Sequence, residues 1–139
     1  MKVLFVCSGN SYRSPVAEAL MKKHAPKGVE IDSAGTSPIN YVSSHAREFL
    51  EKEDAVQFLK KSPEGIDSKR LSDYDLIIAM ELQHKFSVLR RCPQCADKVE
   101  VWNIDDPYDS TKEYECEVYK QIETKVQQLV TLLENHTSS

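Results

Sequence analysis

Apolar residues along the chain follow two patterns: short runs of strand length, and stripes that repeat at helical spacing. Residues 2–7 and 76–80 are continuous apolar runs, which are typical of strands covered on both faces. Residues 29–34 alternate between apolar and polar side chains, and residues 99–102 form a further short strand pattern. The sequence therefore predicts four strands.

Helical patterns lie between and after these strands. The first begins at Ser14, which we expect to cap it, and ends near Ala25, before a proline and a glycine. A second helix begins at Ser43 or Ser44. Residues 51–72 show no clear pattern.

Two more helices follow the third strand. One ends near Cys92, and its expected apolar face consists of Leu82, Phe86 and Leu89. The last helix has the clearest stripe, formed by Tyr114, Val118, Ile122, Val126, Leu129 and Leu133.

Alternation of strand and helix predicts a four-stranded parallel sheet with helices on both faces, in a single domain of residues 1–139. Ligands of such sheets bind at the carboxyl edge of the strands. The first strand ends at Cys7, and the fourth ends just before Asp105 and Asp106. Because parallel strands end at the same edge, we expect this thiol and this acidic loop to meet.

Composition narrows the possible functions. The 139 residues carry a formal net charge of −4, which gives no reason to expect a nucleic acid partner. We find no apolar run long enough to cross a membrane and no signal-peptide layout at the start of the sequence. The four cysteines do not resemble a disulfide framework, so we expect a cytoplasmic protein with reduced thiols.

The loop after the first strand carries the candidate chemistry. It has the sequence Cys7-Ser8-Gly9-Asn10-Ser11-Tyr12-Arg13-Ser14, and a helical pattern opens directly after it. Backbone amides in a tight loop at a helix N-terminus favour a tetrahedral dianion. The same positive field should hold Cys7 as a thiolate near neutral pH, and the Arg13 fork can grip two oxygens of the anion.

The carboxyl edge of the predicted sheet would carry a thiolate, an arginine and an acid. This combination indicates phosphoryl transfer through a cysteine sulfur. The thiolate attacks phosphorus in line, while the loop amides and Arg13 hold the equatorial oxygens. A carboxylic acid protonates the leaving oxygen, and its carboxylate then takes a proton from the attacking water. We expect no metal and no cofactor, because the loop and the arginine supply the required charge.

The loop with the following Pro15 resembles the signature loop of the low-molecular-weight protein tyrosine phosphatases. Three further segments match landmarks of that family, in the same order: 33–36, 79–81 and 106–108. The resemblance covers essentially the whole chain. It implies a three-layer flavodoxin-like fold and hydrolysis of phosphotyrosine proteins, peptides and aryl phosphates, with inhibition by phosphate or vanadate.

The resemblance also implies a role for individual residues. Cys7 would be the nucleophile, Arg13 the phosphate clamp and Asp106 the general acid and then base. Residues 8–14 would bind the phosphate. Four residues would support the site: Ser14 by donating to the Cys7 thiolate, Asn10 by pinning the loop, Ser33 by helping Asn10, and Tyr108 by lining the cleft.

Some positions depart from the family pattern. Many members carry a second cysteine where this chain has Tyr12, so a disulfide that protects an oxidised nucleophile is not expected. Ser11 is neither the aliphatic residue of tyrosine-specific members nor the threonine of the protein-arginine phosphatases. Asp109 follows Tyr108 where animal members often have a second tyrosine. A family histidine that supports the loop asparagine aligns near Lys61, so we do not expect that support here.

Two alternatives stay open on the same fold. One is a protein-arginine phosphatase, which Ser11 does not exclude. The other is a thioredoxin-coupled arsenate reductase that would use Cys7 with Cys92 or Cys95. These two cysteines could also belong to a plain structural loop or supply half of a metal site.

Overall fold

The computed structural model describes the backbone of residues 1–137 and the side chains of residues 1–135. Strands and helices alternate along this part of the chain. The strands are β1 (Lys2–Cys7), β2 (Glu30–Gly35), β3 (Leu76–Ala79) and β4 (Val99–Val101). The α-helices are α1 (Arg13–His24), α2 (Ser44–Lys52), α3 (Leu82–Arg91) and α4 (Lys112–Thr137).

The four strands form one parallel sheet in the order β2-β1-β3-β4. Cys7 at the end of β1 lies opposite Gly35, and Val6 lies opposite Ala79, so three strands end at nearly the same level. Helices cover both faces, which confirms the predicted three-layer flavodoxin-like α/β fold. The carboxyl edge of the sheet brings residues together that are far apart in the sequence.

Alternate residues of β1 face two separate cores. Val3, Phe5 and Cys7 pack in one cluster with α1, α2 and α4. Leu4 and Val6 pack in the other cluster, on the side of α3. The Cys7 side chain therefore lies on the α1 and α4 face.

The first helix begins two residues earlier than a cap at Ser14 would place it. Arg13 is its first residue and Tyr12 is the N-cap residue, without a side-chain capping hydrogen bond. The prediction that Ser14 caps the helix is wrong. Its hydroxyl instead lies 2.9 Å from the Cys7 sulfur and accepts a hydrogen bond from Asn10.

The third helix is present, but two of the three residues expected to bury it face solvent. Leu82 and Phe86 are 52 % and 51 % exposed, whereas His84, Ser87 and Val88 are buried. The cause lies in the first turn. The Glu81 backbone amide donates to His84 Nδ1, and the inward-facing His84 ring sets which face of α3 packs on the sheet.

The stretch without a clear pattern, residues 51–72, completes α2 and then forms three short 3₁₀ turns. These turns are Val56–Phe58, Ile66–Ser68 and Leu71–Asp73. The chain between the first two turns passes behind the loop at residues 8–12 and carries Lys60 and Glu64 to it. Local periodicity does not reveal this segment, because its role is set by contacts with the loop.

Cys92 and Cys95 form a disulfide at the end of α3, contrary to the expectation of reduced thiols throughout the chain. Both residues are buried in the cluster on the face opposite Cys7. The ten residues of α3 place this disulfide about 15 Å along the helix from the Cys7 edge of the sheet. Within the described residues, no group of three or more potential ligands is arranged to hold a metal ion.

None of the helices in the described part of the chain is long and apolar enough to cross a membrane.

Candidate active site

The loop at residues 8–12 directs its backbone amides to one side. Three of its peptide carbonyls, and that of Cys7 directly before it, accept hydrogen bonds from amides of segment 36–43. Since the carbonyl and amide of a peptide plane point in opposite directions, the amides that follow these carbonyls face the other way. Among the described residues, the amides of residues 8–12 have no acceptor. The hydrogen bonds to the loop carbonyls run from the backbone nitrogen of the first residue to the carbonyl oxygen of the second: Thr36 to Cys7 (2.9 Å), Ser37 to Ser8 (2.9 Å), Ile39 to Gly9 (3.1 Å) and Ser43 to Ser11 (2.9 Å).

A sharp bend at Asn10 produces this arrangement. Asn10 has a φ of 51°, in the left-handed region that asparagine tolerates better than most residues. The neighbouring strand must also leave room for the loop. A Cβ atom at Gly35 would lie 2.5 Å from the Ser8 carbonyl oxygen, so only glycine fits at that position.

Hydrogen bonds connect Asn10 to the candidate nucleophile. The buried Asn10 amide nitrogen donates to Ser14 Oγ (2.8 Å) and to Ser33 Oγ (3.0 Å). Ser14 Oγ lies 2.9 Å from Cys7 Sγ. Because Ser14 accepts from Asn10, its own proton is free to donate to the sulfur. The sulfur can therefore accept a hydrogen bond from the Ser14 hydroxyl.

Arg13 is buried and held from behind by two acceptors. Its Nη1 donates to Glu81 Oε1 (2.6 Å) and to the Ile104 carbonyl (2.7 Å). Its Nη2 lies 3.5 Å from Asp106 Oδ2, and the Asp106 side chain is 48 % exposed. The guanidinium is thus fixed at the carboxyl edge of the sheet, with a half-exposed carboxylate at its open side.

A cavity of about 530 Å³ opens above Cys7. Cys7, Arg13 and the loop residues lie at one end of it, and Asp106 lies on its wall. Apolar and aromatic side chains contribute much of the rest of the lining. These include Ile39, Tyr41, Pro107 and Tyr108. The site therefore combines an anion-binding floor with an aromatic entrance.

The family model, the similar sequences and the similar structures all point to one protein family. The family model for low molecular weight phosphotyrosine protein phosphatase matches residues 2–139. A protein-arginine-phosphatase of Bacillus subtilis (strain 168) is 32% identical, over 96% of this chain and 94% of that protein. The low molecular weight protein-tyrosine-phosphatase Etp of Escherichia coli (strain K12) is 31% identical, over 91% of this chain and 90% of that protein. The structure of Vibrio vulnificus Wzb in complex with benzylphosphonate superposes with a TM-score of 0.84 at 28% identity, over 95% of this chain and 98% of that one.

This chain belongs to the low molecular weight phosphotyrosine protein phosphatase family. Members of that family are hydrolases that act on phosphoproteins. The resemblance inferred from the loop sequence is therefore confirmed.

In this phosphatase, the residues predicted from the sequence come together at one opening. The loop of residues 8–12, Cys7, Arg13, Asp106 and Tyr108 all line the cavity or its floor, except that Asn10 is fully buried behind it. Ser33 lies behind the loop as well, within hydrogen-bond distance of Asn10. Their individual roles in catalysis remain predictions.

Lys60, a cation that lies behind the phosphatase loop, was not predicted from the sequence. Lys60 is only 6 % exposed and donates to Asn10 Oδ1 (2.7 Å), the Ser33 carbonyl (2.9 Å) and Ser33 Oγ (3.2 Å). The Glu64 amide also donates to Asn10 Oδ1, at 2.8 Å. Asn10 is therefore supported although the family histidine is not present here. The support comes from Lys60 and not from Lys61, which is exposed.

Glu18 completes the set of groups behind the loop. Its buried carboxylate accepts a hydrogen bond from the Ser33 hydroxyl and forms an ion pair with Lys22. With two donors on Asn10 Oδ1, the amide NH₂ must face Ser14 and Ser33. With Ser33 donating to Glu18, Ser33 can only accept from Asn10. The donor and the acceptor of each hydrogen bond in the series from Glu18 through Ser33, Asn10 and Ser14 to Cys7 are therefore fixed.

Two further functional candidates, Glu81 and His84, lie at the start of α3. Glu81 was seen only as part of a family landmark, although it fixes Arg13. His84 carries no role in the sequence-based predictions, but it is buried against Ser8. The spacing Glu81-x-x-His84 resembles a helix-capping box, and that was the available signal.

We expect Lys60→Met to reduce kcat/KM for an aryl phosphate by roughly 10- to 100-fold, comparable to the loss of one or two charged hydrogen bonds. The Asn10 oxygen would lose its cationic partner, and the loop would lose its fixed geometry. Lys61→Met is the matched control and should leave kcat/KM within about twofold, as for other surface substitutions.

The measurement is steady-state kinetics below the melting temperature of each variant, together with the rate of Cys7 alkylation by iodoacetate at pH 6. Lys60→Met should slow both. A variant that melts earlier but keeps kcat/KM and the alkylation rate of the wild type would show that Lys60 serves stability only.

Proposed function

We propose that this chain is a protein tyrosine phosphatase that hydrolyses phosphotyrosine and aryl phosphates through a cysteinyl-phosphate intermediate. One observation carries this proposal. The buried Cys7 thiol lies at the floor of a loop whose amides have no acceptor among the described residues, and Arg13 and Asp106 lie at the same opening. Nucleophile, anion-binding groups and acid are the parts that phosphoryl transfer through sulfur requires.

In the first step, the Cys7 thiolate attacks phosphorus in line with the leaving oxygen. The S–P bond forms as the P–O bond to the tyrosine ring breaks, and Asp106 gives its proton to that oxygen. The amides of residues 8–12 and the Arg13 guanidinium hold the three equatorial oxygens. Ser14 stabilises the thiolate before the attack.

In the second step, the Asp106 carboxylate takes a proton from water as the water oxygen attacks phosphorus. The P–S bond breaks, inorganic phosphate leaves, and Cys7 returns to the thiolate with Asp106 protonated. Acid and base are one residue, so each turnover restores the starting proton count. No metal or cofactor takes part in this scheme.

The shape of the entrance supports phosphotyrosine as the substrate. Ile39, Tyr41 and Tyr108 lie at the mouth of the cavity, and Tyr41 and Tyr108 are exposed. Flat aromatic rings stack favourably against such side chains. The Wzb structure, which is described as a complex with benzylphosphonate, has the same fold.

We also propose that phosphate and vanadate inhibit the enzyme, since each is a tetrahedral oxyanion that fits the same amides and Arg13. A cytoplasmic location is part of the proposal. The nucleophile must stay reduced. At the loop position where many family members carry a second, protecting cysteine, this chain has Tyr12, so Cys7 depends on a reducing environment.

A second candidate function is hydrolysis of phosphoarginine in proteins. The Bacillus subtilis relative carries that name, and the Ser11 hydroxyl lines the cavity where it could meet a polar substrate group. Arsenate reduction is less well supported. It would require Cys7 to exchange with Cys92 or Cys95, which lie on the opposite face of the sheet.

Asp106→Asn should slow hydrolysis of phenyl phosphate about 100-fold, because a poor leaving group needs the proton. Hydrolysis of p-nitrophenyl phosphate should fall much less. Asp105→Asn is the matched control, because the Asp105 carboxylate accepts from Tyr114 (3.2 Å) and the carboxylate beside Arg13 is that of Asp106. A larger effect of Asp105→Asn on the same two substrates would show that the acid has been assigned to the wrong residue.

The choice of substrate is tested with matched peptides that carry phosphotyrosine or phosphoarginine, and with arsenate plus thioredoxin. We expect kcat/KM for the phosphotyrosine peptide to exceed that for phosphoarginine by at least about tenfold, because the entrance is aromatic. The reverse order would establish the arginine phosphatase. Arsenite production that Cys92→Ser abolishes would establish the reductase.

A further inference from the structure

His84 is a buried histidine whose two ring nitrogens both have partners. The residue is 1 % exposed. Its Nδ1 lies 3.0 Å from the Glu81 backbone nitrogen, and its Nε2 lies 2.9 Å from Ser8 Oγ. A backbone amide can only donate, so Nδ1 must accept. The neutral ring then carries its proton on Nε2 and donates it to the Ser8 hydroxyl oxygen.

The surroundings of His84 favour this neutral form. Burial and the neighbouring Arg13 guanidinium lower the pKa of His84 to about 4, although the Glu81 and Asp106 carboxylates act in the opposite direction. A second ring proton would also face the Glu81 amide, which is itself a donor. The ring therefore stays neutral, with one tautomer, at neutral pH.

This tautomer determines what the Ser8 hydroxyl can do. Because Ser8 Oγ accepts from His84, its own proton is left to donate elsewhere. Among the described residues, His84 is its one hydrogen-bond partner. Ser8 lines the same cavity as Cys7 and Arg13. The free O–H thus belongs to a residue at the wall of the anion site.

We propose that the Ser8 hydroxyl donates a hydrogen bond to a phosphoryl oxygen of the bound substrate, and that His84 is the positioning residue that orients it. This inference rests on the proposed function, since it needs a phosphate ester above Cys7. It assigns to the Ser8 side chain a binding role in addition to that of its backbone amide. A hydrogen bond to a charged group of this kind corresponds to roughly a tenfold effect on binding.

The test compares Ser8→Ala, Ser8→Thr and the wild type, with inorganic phosphate as the probe. We expect Ser8→Ala to weaken competitive inhibition by phosphate about tenfold and to raise KM for p-nitrophenyl phosphate by a similar factor. Ser8→Thr keeps a hydroxyl and should restore both. Ser62→Ala, at an exposed serine outside the cavity, is the matched control and should change neither.

The orienting role of His84 is tested by a double-mutant cycle with His84→Gln and His84→Phe. Gln keeps an N–H donor near Ser8, and Phe has none. In the Phe background we expect Ser8→Ala to change phosphate inhibition less than about twofold, whereas in the Gln background most of the effect should remain. If His84→Phe does not fold, His84→Leu, which also has no N–H donor, replaces it in the cycle. An unchanged Ser8→Ala effect in the background without a donor would show that His84 does not orient the hydroxyl.

Several outcomes would overturn the inference. One is Ser8→Ala with unchanged phosphate inhibition. Another is a Ser8→Ala effect confined to the leaving-group dependence, which would mean that the hydroxyl serves Asp106. A third is failure of Ser8→Thr to restore binding. A wild-type protein that neither hydrolyses aryl phosphates nor binds phosphate would refute the proposed function itself, and is thereby distinguishable from these results.

Discussion

The hydrogen bonds of one buried amide, Asn10, are the constraint on which the site depends. The residue adopts a left-handed backbone conformation, and this bend turns the loop amides toward one point. Its side chain connects Lys60 on one side with Ser14 and Cys7 on the other. Buried polar networks of this kind are stable only when every member has a partner. Here each member does, so these hydrogen bonds hold the arrangement of the loop without help from a ligand.

The parallel sheet explains why the other functional groups reach this loop. Cys7 at the end of β1, Glu81 after β3, and Ile104 and Asp106 after β4 all lie at its carboxyl edge. Arg13 belongs to α1 but is fixed by two of these later segments. Arg13 is therefore positioned by the tertiary fold as well as by its own helix. Its buried guanidinium is matched by the Glu81 carboxylate, which limits the cost of burying the charge.

Most of the fold and the centre of the site could be predicted from the sequence, because both depend on local patterns. The strand that ends in Cys7, the spacing to Arg13 and the acidic loop are visible in short stretches. Lys60 could not be found in this way, because its partner Asn10 is distant in sequence. The capping-box spacing is a local signal for His84, but its contact with Ser8 is distant in sequence and is not visible in that pattern. Ser14 was misassigned as a helix cap because a capping serine and a serine that serves a thiolate look the same in sequence. The sequence around Cys92 and Cys95 allowed a structural loop, half of a metal site or a redox role. The structure shows a disulfide buried on the face of the sheet opposite Cys7, which speaks against an exchange with Cys7.

The central claim is that Cys7 forms a covalent bond to phosphorus during turnover. It is tested most directly by mixing the Asp106→Asn variant with p-nitrophenyl phosphate, quenching in acid and measuring the intact protein by mass spectrometry. The account predicts the mass of one added phosphoryl group, located on the peptide that contains Cys7, and neither this adduct nor turnover when Cys7 is replaced by alanine. Turnover that survives Cys7→Ala, or an adduct on another residue, would contradict it.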